Sequence, residues 1–373
     1  MNLPAPVLVT QPDQLGVMLE RLMAEPAVGV DTESDSLYVY HEKVCLLQFS
    51  IPDIDYLVDP LAAGLSLAPL GKLFADAGIV KVFHAAEYDV MCLKRDAGFE
   101  FCHLFDTMWG ARILGWKQVG LAAILEGHFF VQLDKRWQRH NWGLRPLEKA
   151  ALSYARLDSH YLLALRQRQM QDLETRGLVE QAQETFEQVA AVQPTLREAR
   201  PDDFWRIKGA SDLPMRSQAI LRELYLMRDR EARRRDWPPF KIIGDKTLAA
   251  VAQAQPRSER GLAHSDGMTP LQIKRYGAPV LEAVRRGMAA PIPRPPRAAP
   301  PDYGVLARYE KLRAWRKQVA AERGVDPDVI VSNAALMAVA QTRPARSQEL
   351  EGIAGLGPWR IKTFGAQLVE AWK

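Results

Sequence analysis

The first residues with the types and spacing for metal chemistry are Asp31 and Glu33, which follow the apolar run 28–30. In a β-strand, residues i and i+2 point to one face, so both carboxylates can converge on one cation. The same spacing occurs at Asp172 and Glu174, in a helical stretch where such residues do not face each other. The pair alone therefore leaves both a metal site and an ordinary solvated surface open.

Three further residues strengthen the metal interpretation. Asp89 follows a second apolar run, 80–83, while Tyr154 and Asp158 are four residues apart in a helical stretch and share a helix face. Four carboxylates can hold two divalent cations, roughly 3.5–4 Å apart, that activate a water and stabilise the leaving oxygen of a phosphodiester. A tyrosine beside them can orient the attacking water. The alternatives are that Asp89 stabilises a helix N-terminus and that nearby His84 is a structural histidine.

The elements that must position these residues alternate between strands and helices. Short links between the apolar runs 28–31, 44–51 and 56–59 predict three consecutive antiparallel strands. Further expected elements are helices 15–24, 67–75 and 87–96, a strand 80–83, and long helices over 147–190 that break near Arg176. This order predicts a mixed sheet with helices on its faces.

An internal repeat organises the back half of the chain. When the sequence is shifted by 88 residues, 222–285 falls on 310–373 without a gap, and identities such as Pro270/Pro358 and Lys274/Lys362 align. The repeat predicts a duplicated small helical domain. The proline-dense stretch 291–301 is expected to be an extended linker between the two copies.

The 373-residue chain has an ordinary globular composition, 47% hydrophobic and 25% charged, which excludes collagen-like and wholly disordered proteins. The net charge of +4 divides into −7 over residues 1–200 and +11 over 201–373. A basic module is typical of proteins that bind phosphate, and an acidic one with clustered carboxylates can hold metal ions; the alternative is a solvated surface with an accidental charge bias. We expect no membrane span, no signal peptide and no obligatory protein partner. The three cysteines indicate buried thiols in the cytoplasm.

At this point the sequence resembles a known family. Asp31-x-Glu33, Asp89 and Tyr154-x-x-x-Asp158 match the three motifs of the DEDD 3′→5′ exonucleases of the tyrosine subclass. The flanking residues are similar to those of the ribonuclease D family: Val30 to Glu33, His84-Ala85, Phe105-Asp106-Thr107 and Arg145-Pro146-Leu147. The duplicated half resembles two HRDC domains.

The resemblance implies an α/β fold, a mixed-sheet RNase H-like exonuclease core over 1–195, followed by all-α HRDC-type domains at 203–290 and 302–373. It implies that Asp31, Glu33, Asp89 and Asp158 bind two Mg²⁺ or Mn²⁺ ions and that Tyr154 positions the nucleophilic water. The implied activity is removal of nucleoside 5′-monophosphates from RNA 3′ ends, with 3′-extended tRNA precursors as substrates. Two alternatives are a DNA-directed exonuclease and a non-catalytic RNA-binding protein.

Other residues are candidate substrate contacts: Leu37, Tyr38, His84, Arg228, Arg235 and Lys362. Leu37 and Tyr38 can stack on unpaired bases, and the alternative is that both pack in the core. The cations lie in basic helical segments that can contact phosphates. The turn from Gly355 to Pro358 opens a helix, and a helix N-terminus can bind phosphate. The matching turn of the first repeat, Gly267 to Pro270, has one glycine fewer, so we expect the two repeats to bind RNA unequally.

Overall fold

A computed structural model describes residues 3–195, 200–295 and 302–373. The described chain forms two compact units. The first comprises Met1–Ser34, Val44–Thr195 and Pro300–Lys373, and the second comprises Asp35–Lys43 and Leu196–Ala299. Most of the predicted linker, residues 296–301, lies outside the described residues.

A six-stranded mixed sheet forms the centre of the first unit. Its strands are β1 (Val7–Val9), β2 (Ala27–Ser34), β3 (Val44–Ile51), β4 (Ile54–Val58), β5 (Val80–Phe83) and β6 (Leu104–Asp106). The spatial order is β1-β4-β3-β2-β5-β6. As the short links predicted, β2, β3 and β4 are consecutive antiparallel neighbours, whereas the outer pairings are parallel. The sequence reading missed β1 and β6, each only three residues long.

Helices cover both faces of this sheet. They are α1 (Pro12–Met23), α2 (Gly71–Ala75), α3 (Glu87–Ala97), α4 (Thr107–Ile113), α5 (Leu121–Phe129), α6 (Lys149–His160), α7 (Leu162–Thr175) and α8 (Val179–Ala190). All eight residues of β3 are buried, since Leu47 and Phe49 lie in the large core cluster while Leu46 packs with Tyr154 of α6. Burial on two faces explains why this strand reads as a continuous apolar run.

The 88-residue repeat is confirmed as a structural duplication. The first copy consists of α9 (Met215–Arg235), α10 (Pro239–Ile242), α11 (Asp245–Ala254), α12 (Glu259–Ala263) and α13 (Pro270–Ala289). The second consists of α14 (Tyr303–Arg323), α15 (Pro327–Ile330), α16 (Asn333–Thr342), a 3₁₀ turn (Ser347–Leu350) and α17 (Pro358–Ala371). Each element of the second copy begins 88 residues after its counterpart, so the two copies are compared position by position below.

The cysteines form no disulfide among the described residues. Cys45 and Cys92 are buried as expected, but Cys102 is exposed, so the expectation of three buried thiols was wrong there. In the part of the chain that the structure describes, no helix combines the length and the apolar character that crossing a bilayer requires.

Candidate active site

The strand β2 presents the first two carboxylates. Asp31 pairs with Gln48 and Glu33 with Leu46 in the antiparallel ladder to β3, and the register shifts just after Glu33. Both acids are half-buried. As residues i and i+2 of one strand, they point to the same face of the sheet.

The helix α6 brings the third carboxylate, Asp158, to that face. A close approach of backbone to backbone makes this possible: a Cβ placed on Gly29 of β2 would lie 2.7 Å from the Ser159 carbonyl oxygen. Such a distance is far inside van der Waals contact, so only glycine fits here. Gly29 therefore sets how near α6 lies to the strand that carries Asp31.

A buried polar network holds the same helix in place. Asp55 of β4 accepts hydrogen bonds from Ser50 Oγ at 2.7 Å and from Arg156, and it contacts His160 Nδ1 at 2.9 Å. Ser159 Oγ lies 2.8 Å from Ser50 Oγ. The sequence reading missed these residues. The available signal was a carboxylate inside an apolar strand, which must find partners when it is buried.

Carboxylate oxygens of Asp31, Glu33 and Asp158 all lie within 4.8 Å of one another. Asp89, in the first turn of α3, is buried and accepts a hydrogen bond from Thr32 Oγ1, between the two acids of β2. The structure therefore gathers three of the four predicted ligands closely and places the fourth beside them.

The electrostatics of this cluster favour cation binding. Burial, reinforced by the neighbouring acids, holds the pKa of Asp31 and of Glu33 well above the ordinary range. Burial raises the pKa of Asp89 to about 7, opposed by the Thr32 hydrogen bond, and burial together with Asp89 raises that of Asp158 to about 7. Four mutually repelling carboxylates need protons or cations, and an oxygen-only ligand set suits Mg²⁺ or Mn²⁺.

Tyr154 lies one turn before Asp158 on α6 and is 7% exposed. Burial, followed by the charges of Asp158, Glu33 and Asp31, raises the pKa of its hydroxyl. The phenol therefore stays protonated at neutral pH and retains a hydrogen to donate.

The position of Asp89 depends on Asp106, at the end of β6. The buried Asp106 carboxylate accepts backbone N–H groups of Ala85 and Ala86 at 3.1 and 2.8 Å, just before α3. It also accepts those of Met108 and Trp109 at 2.8 and 3.1 Å, as the N-cap of α4. Ala85 has φ of +61°, a left-handed conformation that costs energy outside glycine, so Asp106 fixes a strained turn directly before the helix of Asp89.

His84 is tied to the same turn. Its Nδ1 lies 2.9 Å from Thr107 Oγ1, which itself donates to the Phe83 carbonyl at 2.9 Å. Burial lowers the pKa of His84 to about 4, so the ring is neutral at physiological pH. The structure thus places this candidate substrate contact in a hydrogen-bonded position between β5 and α4.

The remaining candidate contacts lie in different surroundings. Leu37 and Tyr38 belong to the second unit, where Leu37 is 43% exposed. Arg228 is buried, and its Nη1 donates to the Ile243 carbonyl at 3.0 Å, so it is not placed to contact a phosphate at the surface. Arg235 is partly exposed and pairs with Glu231 at 3.4 Å, and Lys362 is exposed and pairs with Glu180 at 3.7 Å, so both charges lie at the surface.

The N-terminus of α17, an expected phosphate site, is occupied by a side chain of α8. The Glu184 carboxylate accepts the backbone N–H groups of Gly357, Trp359 and Arg360, and pairs with the Arg360 guanidinium at 2.7 Å. The expectation of a phosphate there was wrong, because an internal carboxylate already satisfies these donors and this charge. The second repeat is thereby attached to the sheet-containing part of its unit.

Family models match both parts of the chain. A 3′-5′ exonuclease domain matches residues 6–174, and an HRDC domain matches 217–284 and 305–371. The first match contains Asp31, Glu33, Asp89, Tyr154 and Asp158.

Relatives match along nearly the whole chain. Ribonuclease D of Jannaschia sp. is 30% identical over 372 residues, which cover 97% of this chain and 94% of that protein. The chain belongs to the ribonuclease D family. Another member, from Acidiphilium cryptum, is 29% identical over 98% of this chain and 92% of that protein. The crystal structure of Escherichia coli RNase D, an exoribonuclease involved in structured RNA processing, superposes with a TM-score of 0.71 at 25% identity, covering 100% of this chain and 98% of that one.

These matches confirm the resemblance to the ribonuclease D family and the two helical HRDC domains, and the structure confirms the mixed sheet of the exonuclease core. Membership in this family makes this chain a 3′→5′ exoribonuclease, as the ribonuclease D relatives and the exonuclease domain together support.

Proposed function

We propose that this enzyme releases nucleoside 5′-monophosphates one at a time from RNA 3′ ends and that its substrates are tRNA precursors with 3′ extensions in the cytoplasm. The observation that carries the proposal is the convergence of Asp31, Glu33 and Asp158 within 4.8 Å in a member of this family. A nuclease of this kind needs a compact anionic centre that can be neutralised by cations before a phosphate enters.

Asp31, Glu33, Asp89 and Asp158 would hold two divalent ions. Their donor oxygens, their burial and their raised pKa values all fit such a role. When bound, Mg²⁺ or Mn²⁺ would supply Lewis-acid activation of a water and stabilisation of the leaving oxygen.

The chain's own residues supply position and protons. The Tyr154 hydroxyl, kept protonated by its raised pKa, would orient the attacking water by a hydrogen bond. Thr32 and Asp106 would hold Asp89 in place from two sides, through its carboxylate and through the turn before α3. Gly29 and the Asp55 network would keep α6, with Tyr154 and Asp158, close to β2.

The proposal is tested with Asp158→Asn, which preserves shape but removes one negative charge. We expect shortening of a 5′-labelled, 3′-extended tRNA to fall at least about 100-fold with Mg²⁺, because the ions lose a ligand. A matched control is Asp172→Asn with Glu174→Gln, which has the same spacing on α7 and is expected to retain the wild-type rate. Hydrolysis by Asp158→Asn at the wild-type rate, like that of the control, would refute the assignment of the site.

The substrate is tested separately by product analysis. Thin-layer chromatography should identify nucleoside 5′-monophosphates released from the extended tRNA, in steps of one nucleotide. A matched single-stranded DNA should be degraded more slowly, because contacts to the 2′-hydroxyl distinguish the two polymers. Faster degradation of the DNA would favour the DNA-directed alternative.

A further inference from the structure

The two HRDC repeats share internal hydrogen bonds as well as helix boundaries. Arg228 donates from Nη1 to the carbonyl of Ile243 at 3.0 Å, and Arg316, 88 residues later, donates from Nη1 to Val331 at 2.6 Å. Side chains at matching positions therefore lie on matching faces of the two domains, and one copy indicates how a face of the other is built.

The second repeat uses one such face to attach to α4 and α8. Val329 packs into the core cluster of the sheet, Asp328 pairs with Arg112 at 2.6 Å, and Arg360 pairs with Glu184 at 2.7 Å. Together with 325 and 359, these positions form a surface that is committed to the chain's own exonuclease domain.

In the first repeat the five matching positions differ in chemistry. They are Trp237, Phe240, Lys241, Leu271 and Gln272, which we call the aromatic face. Phe240 is 56% exposed, Leu271 is 54% exposed and Trp237 is 37% exposed. Large apolar side chains that are exposed together on one face of a domain mark a surface that can bind another molecule.

The segment 35–43 adds one aromatic ring, that of Tyr38, to this face. Lys241 Nζ lies 4.0 Å from the ring centroid of Tyr38. The segment is fixed to the repeat because Asp236 Oδ1 accepts the Tyr40 N–H at 3.0 Å and the Tyr40 hydroxyl donates to Asp229 at 2.6 Å. These bonds engage the carboxylates of Asp236 and Asp229 and hold the segment so that the Tyr38 ring lies beside Lys241.

We propose that the aromatic face binds a single-stranded segment of RNA, an inference that rests on the proposed function. Exposed rings interleaved with cations stack on unpaired bases and contact phosphates without reading sequence. A protein surface like that of α8 would not fit the aromatic face. The first repeat has Gln272 in place of Arg360 of the second repeat, and Lys241 in place of the buried Val329.

The test measures binding without hydrolysis. Fluorescence anisotropy of a labelled 20-nucleotide RNA with the full chain in EDTA reports the dissociation constant. We expect Trp237→Ala with Phe240→Ala to weaken binding about tenfold or more, the worth of one or two stacked bases. Lys241→Ala should lower the slope of log K against log salt by about 0.7, the value for one lost phosphate contact on a single strand.

A matched control changes an exposed apolar residue and a cation elsewhere on the same repeat. Met288→Ala with Arg285→Ala, at the far end of α13, should bind the RNA like the wild type. Unchanged binding in all three variants, or a wild type that does not bind RNA in EDTA, would overturn the inference and leave the face to a protein partner.

Failure of the proposed function is a separate result. It would appear as a wild-type protein that does not shorten RNA with Mg²⁺, whereas the binding assay contains no metal. All the substituted side chains are exposed, so the variants should fold, which circular dichroism would check.

Discussion

Replacing Gly29 with alanine tests how closely α6 must approach β2. The new Cβ would lie 2.7 Å from the Ser159 carbonyl oxygen, so that oxygen must move by about 0.7 Å to reach ordinary contact. Asp158 precedes Ser159 directly and moves with it. We expect a stability loss of about 1–3 kcal/mol from overpacking.

The catalytic effect should exceed what the stability loss explains. A displacement near 1 Å at a reacting centre costs on the order of 100-fold in rate, so we expect kcat for RNA hydrolysis to fall about 10–100-fold at 25 °C. Single-turnover hydrolysis of a 5′-labelled RNA measures this, and circular dichroism shows whether the protein is folded.

The matched control is Gly16→Ala, in the interior of α1, where a Cβ meets nothing within 4 Å. It should raise stability by about 0.5–1 kcal/mol, the helix-propensity gain of alanine over glycine, and leave kcat unchanged. A folded Gly29→Ala protein with the wild-type kcat would refute the reasoning that this close approach positions Asp158.

Three further predictions concern charge and anchoring. The metal-free protein should lose thermal stability in EDTA as pH rises from about 4 to about 7, because Asp89 and Asp158, with pKa values of about 7, bind protons more tightly folded than unfolded. Glu184→Ala should destabilise the second repeat by about 3–5 kcal/mol, since it leaves Arg360 buried without its partner; hydrogen exchange of α17 would report this. Asp106→Ala should lower kcat more than it raises KM, because it frees the turn before Asp89.

Each of these predictions has its own control. Asp158→Asn should flatten the pH dependence of stability, and an unchanged profile would contradict the pKa argument. Replacing both Glu184 and Arg360 by leucine should restore much of the protection of the α17 backbone against hydrogen exchange that Glu184→Ala loses. Asp302→Ala removes an exposed N-cap of α14 and should leave kcat unaltered. An equal loss of kcat in that variant would argue against a positioning role for Asp106.

The sequence predicted the strands whose burial leaves a run of apolar residues within the strand itself. The run 44–51 is apolar throughout because both faces of β3 are covered, and its predicted bounds match the observed ones. The strands Val7–Val9 and Leu104–Asp106 are too short to show a period, and they form because β4 and β5 offer them partners. Such strands depend on tertiary context more than on their own residues.

The candidate site divides in the same way. The spacing within β2 and within α6 suggested that Asp31 with Glu33, and Tyr154 with Asp158, share a face. The requirement for Gly29 and the double role of Asp106 depend on contacts between residues far apart in the chain, which no local pattern shows. The sequence likewise does not show which arginines of the repeats are exposed and which are buried, as Arg228 is.

The central claim is that the carboxylates of Asp31, Glu33, Asp89 and Asp158 form the cation site of this exoribonuclease. Calorimetric titration of the full chain with Mn²⁺ at pH 8, above the raised pKa values of Asp89 and Asp158, tests it most directly. We predict saturable binding by the wild type and by Asp172→Asn, and loss of that binding in Asp31→Asn. Mn²⁺ binding by Asp31→Asn that equals the wild type in affinity and stoichiometry would contradict the claim.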